Sequence, residues 1–445
     1  MERTLISDLQ KEIGKQVRIQ GRVNTIRDQG KIIFLMIKDR SGIVQTVAWE
    51  GNSKELVKEL KSITPESIVD LIGTVKEANQ VAQGYEVEIE KIKIDSLAKT
   101  PLPIVIEEEH RDNLTALEQR LDYRWIDLRS KKNTLMTKVY SFSLAKLREF
   151  CIENDFVEIH TPKIIDVASE GGASVFEVKY FDKKAYLAQS PQFHKQMAMA
   201  SDMEKVFSIG SVFRAEKSYT TRHLTEYVSF DIEMSYIDSF KDVCKFEEEI
   251  LTFVLDNIEK EFGAQIREVF GTEVKKPKNG FEYITVKEAK EKLAKENIPS
   301  KDDADFSPEE ERALSKIIEE ETGSEFLFIT DYPHSSRVFY HMKDPNNPEY
   351  ALGYDLLWKG VEITTGSQRE HRVDKLIENA KEKGLKTEDL EEYFNYFRYG
   401  CPPHGGFAIG TERFLMKLLN LSTVLETSFS PNTPNRLGRR LDIKN

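Results

Sequence analysis

The sequence predicts an α+β protein of two folding units, a small N-terminal β-barrel and a larger unit that mixes strands with long helices. Two observations carry this. Five short runs of alternating apolar and polar residues, with one amphipathic stretch among them, fill residues 1–104. Beyond them, apolar residues at helical spacing over Met136–Glu153 give way to the strand-like runs Val206–Val212 and Tyr227–Tyr236.

A chain of 445 residues has room for two to four domains and a sizeable core. Its 39% hydrophobic and 31% charged residues are those of a soluble globular protein. No apolar run approaches the ~18 residues of a membrane span. The start, Met1-Glu2-Arg3-Thr4, lacks the apolar core of a secretion signal. Cys151, Cys244 and Cys401 are scattered and form no Cys-x-x-Cys pair, so neither a zinc site nor a disulfide framework is expected, and a reducing cytoplasm fits. The net charge of −12 argues against broad binding of polyanions. A nucleic-acid partner stays open, because such binding depends on where Lys and Arg cluster.

The barrel strands are expected at Lys15–Asn24, Lys31–Lys38, Gly42–Trp49, Ser67–Lys76 and Tyr85–Asp95, with a helix at Ser53–Lys61. Five strands and one helix in this order suit a Greek-key barrel of the OB type. Such barrels bind single-stranded nucleic acid by stacking bases on aromatics in a cationic groove. Arg27, Phe34 and Gln45 are the candidates, although the strand pattern alone fits Phe34 equally well as core. Two prolines in Thr100-Pro101-Leu102-Pro103 close this unit. Charged residues then fill a hinge, about 105–134, before the second unit, 135–445.

In the second unit, Phe213-Arg214-Ala215-Glu216 follows Val206–Val212, and Arg222-His223-Leu224-Thr225-Glu226 precedes Tyr227–Tyr236. This reads as two antiparallel strands joined by a long polar loop, Lys217–Arg222. Arg214 beside Glu216 would sit on the sheet, and the loop would close Arg222 and His223 over a ligand. A guanidinium is a fixed planar cation suited to phosphate. Asp355 and Glu362 are hard oxygen donors of the kind Mg²⁺ takes beside phosphates. Their separation of seven puts them on opposite faces of a continuous strand, so both serve one site only if a turn or bulge lies near Lys359-Gly360. Ser190-Pro191 is expected to cap a helix carrying Gln192 and Lys195. About 266–349 reads as an insertion, with a strand near Thr285–Val286, helices at Lys287–Glu296 and Ser307–Thr322, and a buried strand at Leu327–Asp331.

Three stretches in order resemble the motifs of class II aminoacyl-tRNA synthetases. Phe156-Val157-Glu158-Ile159-His160-Thr161-Pro162-Lys163-Ile164 is similar to motif 1 and Phe213–Glu226 to motif 2. Gly405-Gly406-Phe407-Ala408-Ile409-Gly410-Thr411-Glu412-Arg413 is similar to motif 3. The resemblance spans nearly the whole chain and is strongest to the aspartyl-tRNA synthetases of archaeal type. It implies an N-terminal OB-fold domain gripping the anticodon through Arg27, Phe34 and Gln45. It also implies a catalytic domain on an antiparallel sheet flanked by helices, and a homodimer formed through motif 1.

The activity implied is ATP-dependent ligation of L-aspartate to tRNA-Asp through an aspartyl-adenylate. The resemblance assigns L-aspartate to Glu170, Gln192, Lys195, Arg214, Thr365 and Arg369, with Lys195 and Arg369 on its side-chain carboxylate and Glu170 on its ammonium. It assigns ATP to Arg214, Ala215, Glu216, Arg222, His223, Leu224, Glu362, Gly410, Thr411, Glu412 and Arg413. Mg²⁺ goes to Asp355, Glu362 and Thr365. Arg214, Arg413 and Glu362 are the catalytic candidates, with His223 joining Arg413 on the outer phosphates. Two cations around one carboxylate favour Asp over neutral Asn.

The C-terminal Phe429–Leu437 departs from the archaeal aspartyl pattern. Asn432 replaces a cation, Thr433-Pro434 is similar to asparaginyl enzymes, and the extra Gly438-Arg439-Arg440 tail is basic. Three alternatives therefore stay open: an asparaginyl-tRNA synthetase, which Lys195 opposes; a relaxed aspartyl enzyme that also charges tRNA-Asn; and a synthetase-like tRNA-binding protein without catalysis.

Overall fold

The computed structural model describes residues 1–106, 115–168, 174–217, 220–275, 277 and 280–437. The chain divides into two compact units, Met1–Val105 and Ile106–Asn445.

In the first unit, β1 (Gln16–Asp28), β2 (Ile32–Lys38), β3 (Ile43–Trp49), β4 (Ile68–Glu77) and β5 (Tyr85–Ser96) close a barrel in the order β1-β2-β3-β5-β4. Helix α1 (Lys54–Leu60) lies between β3 and β4 in sequence and is capped by the Ser53 side chain. β1 runs past the expected Asn24 because it serves two neighbours. Gln16–Arg22 pairs with β4, and Arg22–Asp28 pairs with β2 across a bulge at Val23–Thr25. One bent strand thus closes the barrel. Alternation sends Ile33, Leu35 and Ile37 into the core, each fully buried, and leaves Phe34 and Met36 on the outer face.

The second unit opens with helices α2 (Leu117–Asp122), α3 (Arg124–Asp127) and α4 (Lys131–Glu153). The stretch read as a hinge with a short helical turn, about 105–134, carries α2 and α3 and the start of α4. Arg124 is buried, pairs with Asp127, and donates from Nη2 to the carbonyls of Glu426 at 2.7 Å and Ser428 at 2.8 Å. A guanidinium with so many buried acceptors fixes α3 to this unit.

Strands β6 (Val157–Glu158), β7 (Ile164–Ile165), β8 (Glu177–Tyr180) and β9 (Lys183–Leu187) follow, then helix α5 (Gln192–Met199). The motif 2 strands are β10 (Lys205–Phe213) and β11 (Glu226–Ser235), paired antiparallel. Next come α6 (Phe240–Phe270), β12 (Glu282–Thr285), α7 (Val286–Lys295), α8 (Pro308–Thr322) and β13 (Phe326–Thr330). The hairpin β14 (Gly353–Trp358) and β15 (Val361–Arg369) leads to α9 (Val373–Glu382) and α10 (Glu391–Arg398). The motif 3 strand β16 (His404–Gly410), α11 (Thr411–Leu418) and α12 (Val424–Thr427) complete the order.

Eight strands form one sheet in the order β12-β13-β14-β15-β16-β11-β10-β6, and β7-β9-β8 form a second, small sheet. All pairings in the large sheet are antiparallel except those of its two edge strands, β12 and β6. The stretch 266–349, expected as an insertion, begins inside α6 and supplies β12 and β13 to this sheet. β13 is buried along its whole length, so it belongs to the core of the unit. The 31-residue α6 packs beside α4 over the sheet in one apolar cluster with Phe207, Phe230 and Phe407. One carboxylate lies in that cluster: Glu247 on α6, fully buried, accepts from the Tyr354 hydroxyl at 2.6 Å. Burial pushes its carboxyl up to about 8. The Tyr354 ring lies where a side chain at Gly366 would stand.

Candidate active site

Motif 3 builds a trough along the sheet. Alternation sends Phe407 and Ile409 into the core, so Gly406, Ala408 and Gly410 share the opposite face. Ser229, Asp231 and Glu233 of β11 pair with Gly410, Ala408 and Gly406. From the other side, Thr365 and Ser367 of β15 pair with Ala408 and Gly406. Paired residues point to one face, so a floor of glycine and alanine runs between two polar walls. The small floor is required at its inner end: a Cβ on Gly406 would stand 2.1 Å from the Ile232 carbonyl and 2.5 Å from Glu233 Oε2.

At that end four charges are buried together. Glu233 accepts from Arg369 Nε at 2.9 Å, and Lys195 Nζ lies 3.5 Å from its other oxygen. Lys195 also donates to Asp231 at 3.0 Å and to the Ile232 carbonyl at 3.3 Å. Arg369 donates further to Ser367 Oγ at 2.6 Å, the Gly406 carbonyl at 2.9 Å and His341 Nε2 at 3.3 Å. Burial alone would raise the Glu233 carboxyl, but Arg369 and Lys195 outweigh it and hold it below the usual range. A lone helical lysine is ordinarily solvated, yet Lys195 is 1% exposed. α5 begins one residue later than expected, with Pro191 at the cap, although Ser190 Oγ still accepts the Gln192 N–H at 3.3 Å. Gln192 in turn donates to Gln196, which also binds Tyr393 and His404. His404 Nδ1 faces the Pro402 carbonyl at 2.9 Å and so carries the proton, leaving Nε2 to accept from Gln196.

The outer end of the trough opens into a cleft lined by Arg214, Glu216, Arg222, His223, Leu224, Glu362, Thr365, Gly410 and Arg413. β10 ends at Phe213, so Arg214, Ala215 and Glu216 stand just past the strand and not on it. The Arg214 N–H still donates to the Thr225 carbonyl, and its guanidinium lies 5.8 Å from the centre of the Tyr227 ring. Arg413 donates to the carbonyls of Arg222 at 3.1 Å and Glu362 at 3.0 Å. His223 lies 3.5 Å from Glu216. Burial and the neighbouring Arg413 lower its pKa from the ordinary imidazole value. Thr411 and Glu412 fasten the fold: Glu412 accepts the Val228 N–H at 3.1 Å, and Thr411 donates to the Val228 carbonyl at 2.8 Å.

Asp355 and Glu362 lie on the two arms of the β14–β15 hairpin. Lys359 and Gly360 both take positive φ in its turn, and a register shift at Leu356/Leu357 restores both carboxylates to one face. Thr365 donates to Glu362 at 3.1 Å. Burial and the charge of Asp355 raise the Glu362 carboxyl, as expected of a pair that wants a cation. Asp355 already has one: Arg337 grips it with both Nη atoms, at 3.1 and 2.6 Å. No sequence signal pointed to Arg337, which lies in the stretch first read as an insertion. Among the described residues no group of three His, Cys, Asp or Glu could hold a metal by itself. Two carboxylates, a hydroxyl and the oxygens of a bound triphosphate do fit Mg²⁺, which keeps water ligands and takes few from protein.

Glu170 lies outside the described residues; Ser174, close after it, accepts the Ala215 N–H at 2.7 Å. On the barrel, Arg27 pairs with Phe34 across strands, and Gln45 stands opposite Met36, two residues along the same outer face. The three residues therefore share one surface, and Gln45 donates to Glu86 at 2.7 Å. At the C-terminus, the Asn432 carbonyl accepts the Thr225 N–H at 3.0 Å and its side chain donates to Glu226 at 3.0 Å, so the divergent segment braces the start of β11.

Residues 116–434 match the family of class II tRNA synthetases (D, K and N), and residues 17–95 match the OB-fold nucleic acid binding domain. The chain is 37% identical to the aspartate–tRNA(Asp/Asn) ligase of Aeropyrum pernix, over 97% of this chain and 98% of that one. It is 40% identical to the aspartate–tRNA(Asp) ligase of Pyrococcus horikoshii, over 95% and 96%. Among solved structures, the asparaginyl-tRNA synthetase of Pyrococcus horikoshii complexed with asparaginyl-adenylate superimposes with a TM-score of 0.90. The two are 33% identical, over 98% of this chain and 99% of that one. The chain thus belongs to the class II tRNA synthetases and, within them, to the aspartyl-tRNA synthetase family.

Proposed function

We propose that the chain ligates L-aspartate to tRNA in two steps, and that the trough is where it does so. The observation that carries this reading is the pairing of two ends: buried Lys195 and Arg369 at one, and Arg214, Arg222 and Arg413 around a cleft at the other. An acidic amino acid laid along the floor places its side chain at the first and its α-carboxylate at the second. The side-chain carboxylate displaces the longest contacts of the two cations, those at 3.3–3.5 Å to the Ile232 carbonyl, Glu233 and His341. A neutral amide does so less well, because it supplies no charge. Gln192 and Glu170 take the ammonium end.

In the first step an α-carboxylate oxygen attacks the α-phosphorus of ATP, and the bond to pyrophosphate breaks. In the second, the terminal ribose hydroxyl of tRNA attacks the acyl carbon, and AMP leaves. No side chain acts as nucleophile, since positioning and charge neutralisation dominate such transfers. Arg214 faces the α-phosphate, Arg413 the outer phosphates and Glu216 the adenine amino group, with His223 as a hydrogen-bonding partner. Glu362, Thr365 and Asp355 would hold Mg²⁺, which supplies charge neutralisation on the phosphates when bound. Arg27, Phe34 and Gln45 meet the anticodon.

The exposed Val157 on edge strand β6 and the exposed Ile164 on β7 support a homodimer through motif 1. Three free cysteines support a reducing cytoplasm, and no helix among the described residues is long and apolar enough to cross a membrane.

A second reading, asparagine activation, is favoured by the asparaginyl neighbour and the Thr433-Pro434 ending, and is opposed by Lys195. Aspartate- and asparagine-dependent ATP–pyrophosphate exchange separates the two, and exchange driven better by asparagine sinks the first. Charging purified tRNA-Asp and tRNA-Asn with aspartate then decides whether one acceptor is used or both, as in the relative from Aeropyrum pernix.

A further inference from the structure

The stretch between α6 and β14 carries no chemistry legible in its sequence, yet one of its carboxylates reaches the nucleotide end of the cleft. Glu311 lies in the first turn of α8 and is 5% exposed. It is not needed to cap that helix, because Ser307 and Glu310 form the capping box. Its Oε2 instead meets Nη1 of Arg222, an arginine that lines the cleft. The backbone around Arg222 is held separately. Arg413 takes the Arg222 carbonyl, and the Val424 N–H takes the Thr221 carbonyl at 2.8 Å. The backbone at Thr221 and Arg222 is thus fixed by α11 and α12, while among the described residues the Arg222 guanidinium is held by α8.

A carboxylate removed from water costs free energy that one ion pair does not fully return. The bond spans 89 residues of sequence and joins a loop to a helix, so no local fold requires it. We propose that Glu311 is a positioning residue for the nucleotide: it holds the Arg222 guanidinium in the cleft wall before ATP arrives. This rests on the ATP reading above. A free loop arginine loses rotamer freedom when a ligand orders it. A guanidinium ordered beforehand avoids that loss at the moment of binding. Glu311 occupies one nitrogen, which leaves the remaining N–H groups for phosphate oxygens.

The test is a double-mutant cycle on the full-length protein, with Glu311→Gln, Arg222→Ala and the pair. Each is read by calorimetric titration with MgATP, and by the KM for ATP and for aspartate in pyrophosphate exchange. Glu311→Gln is expected to weaken MgATP binding and raise its KM about tenfold, with the KM for aspartate and the melting temperature near the parent's. In the Arg222→Ala background it adds nothing, and Glu311→Asp recovers part of the loss. The proposal is overturned by unchanged or tighter MgATP binding, by effects that multiply in the double variant, or by a KM for aspartate that moves equally. Should Glu311→Gln not fold, Glu311→Asp decides by the same split, with a smaller rise in the KM for ATP alone expected. A parent that binds MgATP but shows no aspartate-dependent exchange refutes the functional reading instead, and the titrations still judge Glu311.

Discussion

Glu233 and Arg369 form an ion pair between strands that are not neighbours, with 2.9 Å from Nε to Oε1 and both side chains buried. The Arg369 guanidinium crosses over β16 and donates to the Gly406 carbonyl, where a Cβ on Gly406 would stand 2.5 Å from Glu233 Oε2. Removing one partner of such a pair strands the other charge away from water. Arg369→Met is therefore expected to cost ~3–5 kcal/mol of stability, measured by urea unfolding. A change under ~1 kcal/mol would mean that water reaches Glu233 more freely than its burial implies.

Arg214 faces the cleft just beyond the end of β10. If it stabilises charge building on the α-phosphate, Arg214→Ala loses ~2–4 kcal/mol of transition-state stabilisation in pyrophosphate exchange. The melting temperature should stay close to the parent's, because the residue lies outside the ladder of β10 and β11. Exchange at the parent rate would remove Arg214 from the catalytic set.

Phe34 makes no contribution to the barrel core, which is built from Ile33, Leu35 and their partners. Phe34→Ala is expected to leave the barrel folded and pyrophosphate exchange unchanged. It should weaken tRNA binding by ~1–3 kcal/mol, the value of one base stacked on an aromatic, read as the KM for tRNA in aminoacylation. A barrel that melts instead would restore Phe34 to the core.

Glu247 titrates high, at about 8 against an ordinary 4.5. Between those values the folded chain holds a proton that the unfolded chain has released, so stability falls as pH rises and levels off above about 8. Glu247→Gln keeps the shape of the protonated acid and removes this dependence. Thermal melts should show the variant close to the parent at pH 4 and more stable by roughly 4 kcal/mol at pH 8.5. A parent whose stability is flat over that range would show that the carboxyl ionises normally.

Much of the trough was legible because alternation is a sequence property. Gly405–Gly410 states which residues face the core and which make the floor, and the order of three motifs gives the family. The hairpin was half legible: the parity of Asp355 and Glu362 demands an irregularity, but only the ladder places it at Leu356/Leu357. What escaped were partners distant in sequence. Glu233 reads as one more strand residue until Lys195 and Arg369 close on it. Arg337 and Glu311 sit in a segment whose pattern speaks only of helix and strand. The supposed insertion failed for the same reason, since β12 and β13 join the sheet through hydrogen bonds that no local pattern records.

The extra residue in the β14–β15 hairpin constrains how this enzyme can change over time. Deleting it would turn Glu362 to the face opposite Asp355.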